Sequence, residues 1–246
     1  MLLLVSLLLL PSSGSLAQQE DKGSIFVFTL AQDTNVYRVF PIEGALDVVS
    51  FYDYYSASGH TPFMEDKVSK IYLYRNTVTQ GLSLVMHHAI DEGALDLYSV
   101  KMDLRGVPEE AHVALADDAF RNEFLLENEP EGNWEHTNNS DGGALSRLPT
   151  DKSWSISITP DFISGIAKWE YLTQPASGVE SIDLDMGKDI AITMSEVHSS
   201  GGNGCFIATS DLSLPLSLKS RGCRRSKASQ PFGWEAMDTA TGDTTP

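Results

Sequence analysis

The chain has 246 residues, 41% of them hydrophobic, enough for one well-filled core or two small ones. Its formal charge of −17 repels phosphate backbones and excludes nucleic acid as a natural partner of the body. Both cysteines, Cys205 and Cys223, lie in the last fifth of the chain, so the rest must stand on apolar burial rather than on disulfides.

Residues 1–17, MLLLVSLLLLPSSGSLA, are a short apolar run followed by small residues. This is the layout of a secretory signal peptide, with cleavage after Ala17 leaving Gln18 as the mature N-terminus. The run is shorter than the roughly 20 residues a bilayer-spanning helix needs, and no other stretch reaches that length. The mature chain is therefore expected to carry no transmembrane helix.

From Ser24 the sequence reads as short extended runs cut by Gly, Pro, Asn and Asp. Ser24–Leu30 (SIFVFTL) is apolar on both faces and predicts a central strand; NVYRVF and ALDVVSFYDYY, residues 35–40 and 45–55, predict the next two. Val68–Arg75 and Leu82–His88 flank NTVTQG, a connection of hairpin length. In ALDLYSVKMDL the apolar phase slips by one residue at Tyr98, the mark of a bulge or bend. HVALAD predicts a strand with Val113 and Leu115 inward, and residues 117–133 are ambiguous.

Residues 152–172 carry the clearest pattern. Trp154, Ile156 and Ile158 alternate with Ser155, Ser157 and Thr159, as a half-buried strand requires. Pro160, lacking an N–H, predicts its end, and AKWEYL the next strand. In SIDLDMGKDIAITM the apolar residues from Ile182 to Met194 keep one phase, predicting a hairpin about Gly187. On the order of ten to thirteen such runs with no long helix predict an all-β fold, an antiparallel two-sheet β-sandwich of jelly-roll-like kind. The predicted organisation is a signal peptide (1–17), a sandwich domain (18–197), a Gly/Ser linker (198–204) and a degenerate or disordered tail (205–246).

Gly204-Cys205-Phe206-Ile207-Ala208-Thr209 resembles the Gly-Cys-Phe-Ile-Ala-Thr-Ala tail of many secreted bacterial proteins, which follows a Gly/Ser linker and looks like a sorting or anchoring signal. The resemblance implies export to the cell envelope or beyond. It covers these six residues and the linker alone, and the hydrophobic helix that completes such a tail is missing after Thr209. In an exported chain Cys205 and Cys223 could pair across 17 intervening residues, a closure worth about 3 kcal/mol in the loop-entropy account.

Candidate chemistry is sparse. His87 and His88 are adjacent, so a regular strand points them to opposite faces, one exposed and one packed at a strand end. A zinc-like set joining one of them to His112 or His136 and to Asp91 or Glu92 has no supporting spacing. Asp117, Asp118 and the NNSDG segment, with Asn138, Asn139 and Asp141, present hard oxygen donors of the type Ca²⁺ prefers. Trp134, set among amides and carboxylates, is the one tryptophan whose surroundings suit stacking on a sugar at a loop tip, whereas Trp154 and Trp169 are predicted core. There is no G-x-S-x-G motif, and the body has no cysteine nucleophile. The expected function is a secreted or surface-bound, non-catalytic binding sandwich whose partner is a glycan or surface protein. The alternative is a calcium- or metal-dependent carbohydrate-binding module or hydrolase.

Overall fold

The computed structural model describes residues 25–55, 58–89, 97–116, 121–127, 129–137, 139–198 and 207–208. The predicted signal peptide, most of the linker, the cysteines and nearly all of the tail lie outside this set, as do Asn138, Asp117 and Asp118.

Two sheets face each other. One contains β1 (Ile25–Gln32), β2 (Asn35–Val39), β6 (Leu97–Arg105), β8 (Phe124–Leu125), β9 (Glu131–Thr137), β11 (Trp154–Ser164) and β14 (Ile190–His198), in the order β2-β1-β14-β11-β6-β9-β8. A two-residue strand in the tail, β15 (Ile207–Ala208), pairs with the end of β14. The other sheet contains β3 (Ile42–Gly44), β4 (Val68–Asn76), β5 (Leu82–His88), β7 (His112–Ala116), β10 (Asp141–Leu148), β12 (Lys168–Thr173) and β13 (Glu180–Leu184). Its order is β13-β12-β4-β5-β10-β7, with β3 beside β4. The fold is thus an all-β two-sheet sandwich, as expected. Its pairing is antiparallel except along one side of β4, where β12 and then β3 run parallel to it.

The main core lies between the sheets. Trp154, Ile156 and Ile158 point into it at 8%, 0% and 0% exposure, opposite Leu73, Leu84 and Leu145 of the facing sheet. Leu97 stays exposed while Tyr98, Val100, Met102 and Leu104 are buried, so the slipped phase resolves in favour of the even residues.

A second core covers the outer face of the β4 sheet. There Tyr72, Tyr74, Val85, Ala144 and Leu172 meet Val48 and Tyr52 from a short helix, α1 (Val48–Tyr52). Phe51 stacks on Tyr74 at 4.3 Å between ring centroids, and Phe63 meets Tyr72 edge-on at 5.7 Å. Both faces of β4 and β5 are therefore covered, which suits strands that carry large apolar residues on both sides. Lys70, 7% exposed on this covered face, sits 2.7 Å from Glu65 and 3.6 Å from Glu170, compensation a buried ammonium requires.

Four local expectations are corrected. The third expected strand is α1: Asp47 accepts hydrogen bonds from the Val49 and Ser50 N–H groups at 3.0 and 2.9 Å and so nucleates a helical turn where β-branched residues suggest a strand. Asp47→Ala is expected to lower stability by about 1 kcal/mol, measurable by urea denaturation. Pro160 does not end its strand. By that point β14 has left the ladder, with Ile158↔Ile190 as the last pair, and β6 alone continues, Pro160 facing Met102. A residue without an N–H is tolerated where one side of a strand is free.

Residues 181–194 do not form a hairpin. β13 pairs with β12 and β14 with β1 and β11, so the segment crosses between sheets. The crossing is pinned by Gln32, whose amide accepts from the Asp185 N–H at 2.8 Å and donates to the Asp185 and Lys188 carbonyls. Finally, Val113 and Leu115 do not share a face: a register shift opposite Ala144/Leu145 turns Val113 toward the main core and Leu115 toward the outer one.

Candidate functional site

The predicted loop-tip site is divided by the sandwich. Trp134, expected at the surface, is 0% exposed: on β9 its face is shared with Gly132 and His136, which look between the sheets. Its indole N–H donates to the Gly142 carbonyl at 2.8 Å, and its ring lies 4.6 Å from His88 and 5.6 Å from Phe124. It therefore offers no face to a sugar. Asp141 is also turned inward, 3% exposed, and accepts the Gly142 N–H at 2.7 Å. Asn139 alone of the described trio reaches the surface, half-buried at a small concavity shared with Arg121 and His136. Asn138, Asp117 and Asp118 fall outside the described residues.

The histidines are likewise more buried than expected. His87 and His88 do face opposite ways, but the second core covers one and the main core the other, leaving them 2% and 0% exposed. His87 meets the Thr61 hydroxyl at 3.0 Å, and His88 meets that of Ser69 at 2.9 Å. His136, 8% exposed, stacks on Tyr98 at 5.0 Å, with the Asp141 carboxylate 3.6 Å from its Nδ1. Burial pushes His87 down to about 3, with Lys70 adding to the effect. Burial, then His136 and His87, hold His88 well below its usual range. Burial also takes His136 down to about 4. All three rings are neutral at pH 7 and serve the interior. Among the described residues no group of three or more His, Cys, Asp or Glu is placed to hold a metal ion.

The accessible arrangement lies elsewhere, on the outer face of the β4 sheet beside α1. There β4, β5, β7, β10 and α1 line a groove of about 370 Å³, within the range of small-ligand sites. Val48, Tyr74 and Ala114 contribute apolar surface, while His112, Ser146 and Arg147 supply polar groups. Asn76 shapes one wall by accepting from the Val78 and Thr79 N–H groups and donating to the Leu46 carbonyl. Arg147 has φ +60° inside a register shift of β10, a conformation costing a non-glycine residue about 1–2 kcal/mol. Such strain gathers where a side chain must be aimed.

Ser146 and His112 are cross-strand partners, with the hydroxyl 2.8 Å from His112 Nδ1. Among the described residues no carboxylate orients the other ring nitrogen. The third member that makes a serine–histidine couple a nucleophile is not found among the described residues. Periodicity could have found only part of this groove: Ser146 and Arg147 gain meaning from a bulge that brings them beside a helix read as a strand.

No family model matches the chain, and neither a curated protein nor a solved structure matches it.

Proposed function

We propose that this chain is a non-catalytic binding protein, secreted or held at a bacterial cell surface, which takes a glycan or a surface-protein loop into the groove beside α1. The observation that carries the reading is Arg147, held at φ +60° in a bulge, which with Ser146 and His112 lines a groove that Val48, Tyr74 and Ala114 also line. Apolar floors ringed by a few polar groups suit sugars and peptide loops, which offer both kinds of surface. The signal-like residues 1–17 and the tail resemblance support the location.

Arg147→Gly separates binding from stability. Glycine adopts φ +60° without strain, so the variant is expected to be more stable by about 1 kcal/mol and to lose binding across a glycan and peptide array. Unchanged binding would remove the groove from the argument. Recovery of the secreted protein beginning at Gln18 would support the location; recovery in the cytoplasm with Met1 intact would sink it.

A second reading, a hydrolase, is favoured by the Ser146–His112 contact alone. Hydrolysis of an ester, peptide or glycoside panel that vanishes in Ser146→Ala would replace the non-catalytic reading.

A further inference from the structure

This is an acidic chain, with 34 Asp and Glu against 17 Lys and Arg, and its described cations are mostly paired. Lys70, Lys101, Lys152, Lys168 and Lys188 each have a carboxylate partner. Four described arginines break that pattern, Arg38, Arg75, Arg105 and Arg147, and the first two line the same cleft. Arg38 and Arg75 make no ion pair among the described residues; each rests on a phenyl ring instead, Arg38 at 5.3 Å from the centre of Phe40 and Arg75 at 5.7 Å from that of Phe28.

Topology explains the placement. Ile71 and Leu73 of β4 point into the main core, and Arg75 continues that phase where the core runs out, beside the edge formed by β1 and β2. The chain crosses there from one sheet to the other between β2 and β3. The result is a cleft of about 210 Å³, to which Phe26, Phe28, Arg38, Phe40, Arg75 and Gln174 all contribute. Gln174 Oε1 accepts the Glu43 N–H at 2.8 Å, while its Nε2 donors have no partner among the described residues.

We propose that this cleft is a carboxylate-binding site, Arg38, Arg75 and the Gln174 amide receiving the anion and the phenylalanine rings receiving an apolar group beside it. A guanidinium stacked on a ring keeps its in-plane N–H groups for an acceptor and is held in orientation by the stack. Two guanidinium groups in the lining of one cleft favour a planar oxyanion over a neutral amide. The volume lies below that of drug-sized sites, so the fitting ligand is a small aryl or alkyl carboxylate, either a free acid or the C-terminus of a peptide. Glu43 also lines the cleft and opposes the anion, tuning affinity downward. The site is separate from the groove beside α1, and its test does not depend on that reading.

The test is titration of the purified full chain, followed by calorimetry or protein NMR, with phenylacetate and with N-acetylphenylalanine, the second standing for a peptide C-terminus. Each is compared with its amide. Both acids, or either, should bind about tenfold or more tightly than the amide, and the tighter of the two identifies the source. R38Q and R75Q should each weaken the acid about tenfold. E43Q should strengthen it about threefold by removing the like charge, an effect that loss of structure cannot imitate. Should R75Q fail to fold, R38Q and E43Q, at the rim, carry the test. Equal affinity for acid and amide overturns the proposal, as does acid binding unchanged in a folded R38Q/R75Q double variant, or no acid binding at about 10 mM.

Discussion

Trp134→Ala is expected to lower the free energy of unfolding by about 3–5 kcal/mol, the range for emptying a buried aromatic site. In a domain of this size that lowers the melting temperature by on the order of 10 °C. The indole is fully buried, contacts His88 and Phe124, and closes over Gly132, where a Cβ would collide with the ring. Its N–H also satisfies the Gly142 carbonyl inside the protein. Trp134→Phe should retain most of the packing and lose only that hydrogen bond, about 1–2 kcal/mol. Urea denaturation monitored by circular dichroism distinguishes the two variants. A loss below about 1 kcal/mol for the alanine variant would mean that the ring is a surface element after all.

Stability is expected to fall steeply as pH drops from about 6.5 toward 4. The sign follows from the buried imidazoles. His87 and His136 have folded-state values near 3 and 4 against an ordinary 6.5, and His88 is shifted in the same direction. Above 6.5 neither state binds these protons and the stability is fully present. Below it the unfolded chain takes up protons that the folded chain refuses, and stability is lost progressively until the folded-state values are reached. One pKa unit corresponds to about 1.4 kcal/mol, so His136 alone contributes about 3 kcal/mol across its window. Urea midpoints measured from pH 7.5 down to 4 read the slope. His136→Phe keeps the aromatic stack on Tyr98 and removes one titrating group, so its slope should be visibly shallower. A wild-type midpoint that stays flat between pH 7 and 5 would show that water reaches these rings.

Trp134 also shows why the candidate site was only partly legible in the sequence. Its neighbours Asn133, Glu135, Asn139 and Asp141 are polar, and in one dimension they look like a solvated loop. On β9, however, Asn133 and Glu135 simply occupy the outward positions of an alternating strand, and Asp141 turns inward to hold the Gly142 N–H. The same period-2 rule that correctly placed Ile156 and Ile158 in the core would have buried Trp134, had the strand been recognised. The mistaken hairpin at Gly187 has a different origin. Continuous phase from Ile182 to Met194 says that these residues face apolar neighbours, but not whether the neighbours belong to one sheet or two.

By itself the amino-acid sequence determined the class of fold, because alternation at period 2 and frequent turn residues act within a few positions of one another and need no distant partner. Only the tertiary structure decided that α1 is a helix packed over the β4 sheet, that β12 and β3 lie parallel beside β4, and that the chain crosses between sheets after Leu184. It alone brought Ser146 and Arg147 beside α1, and Arg38 and Arg75 into one cleft. Those outcomes rest on contacts between residues more than a hundred positions apart in some cases, such as Gln32 with Asp185 or Phe40 with Thr173. Local pattern carries no information about which distant surface will supply the missing neighbour.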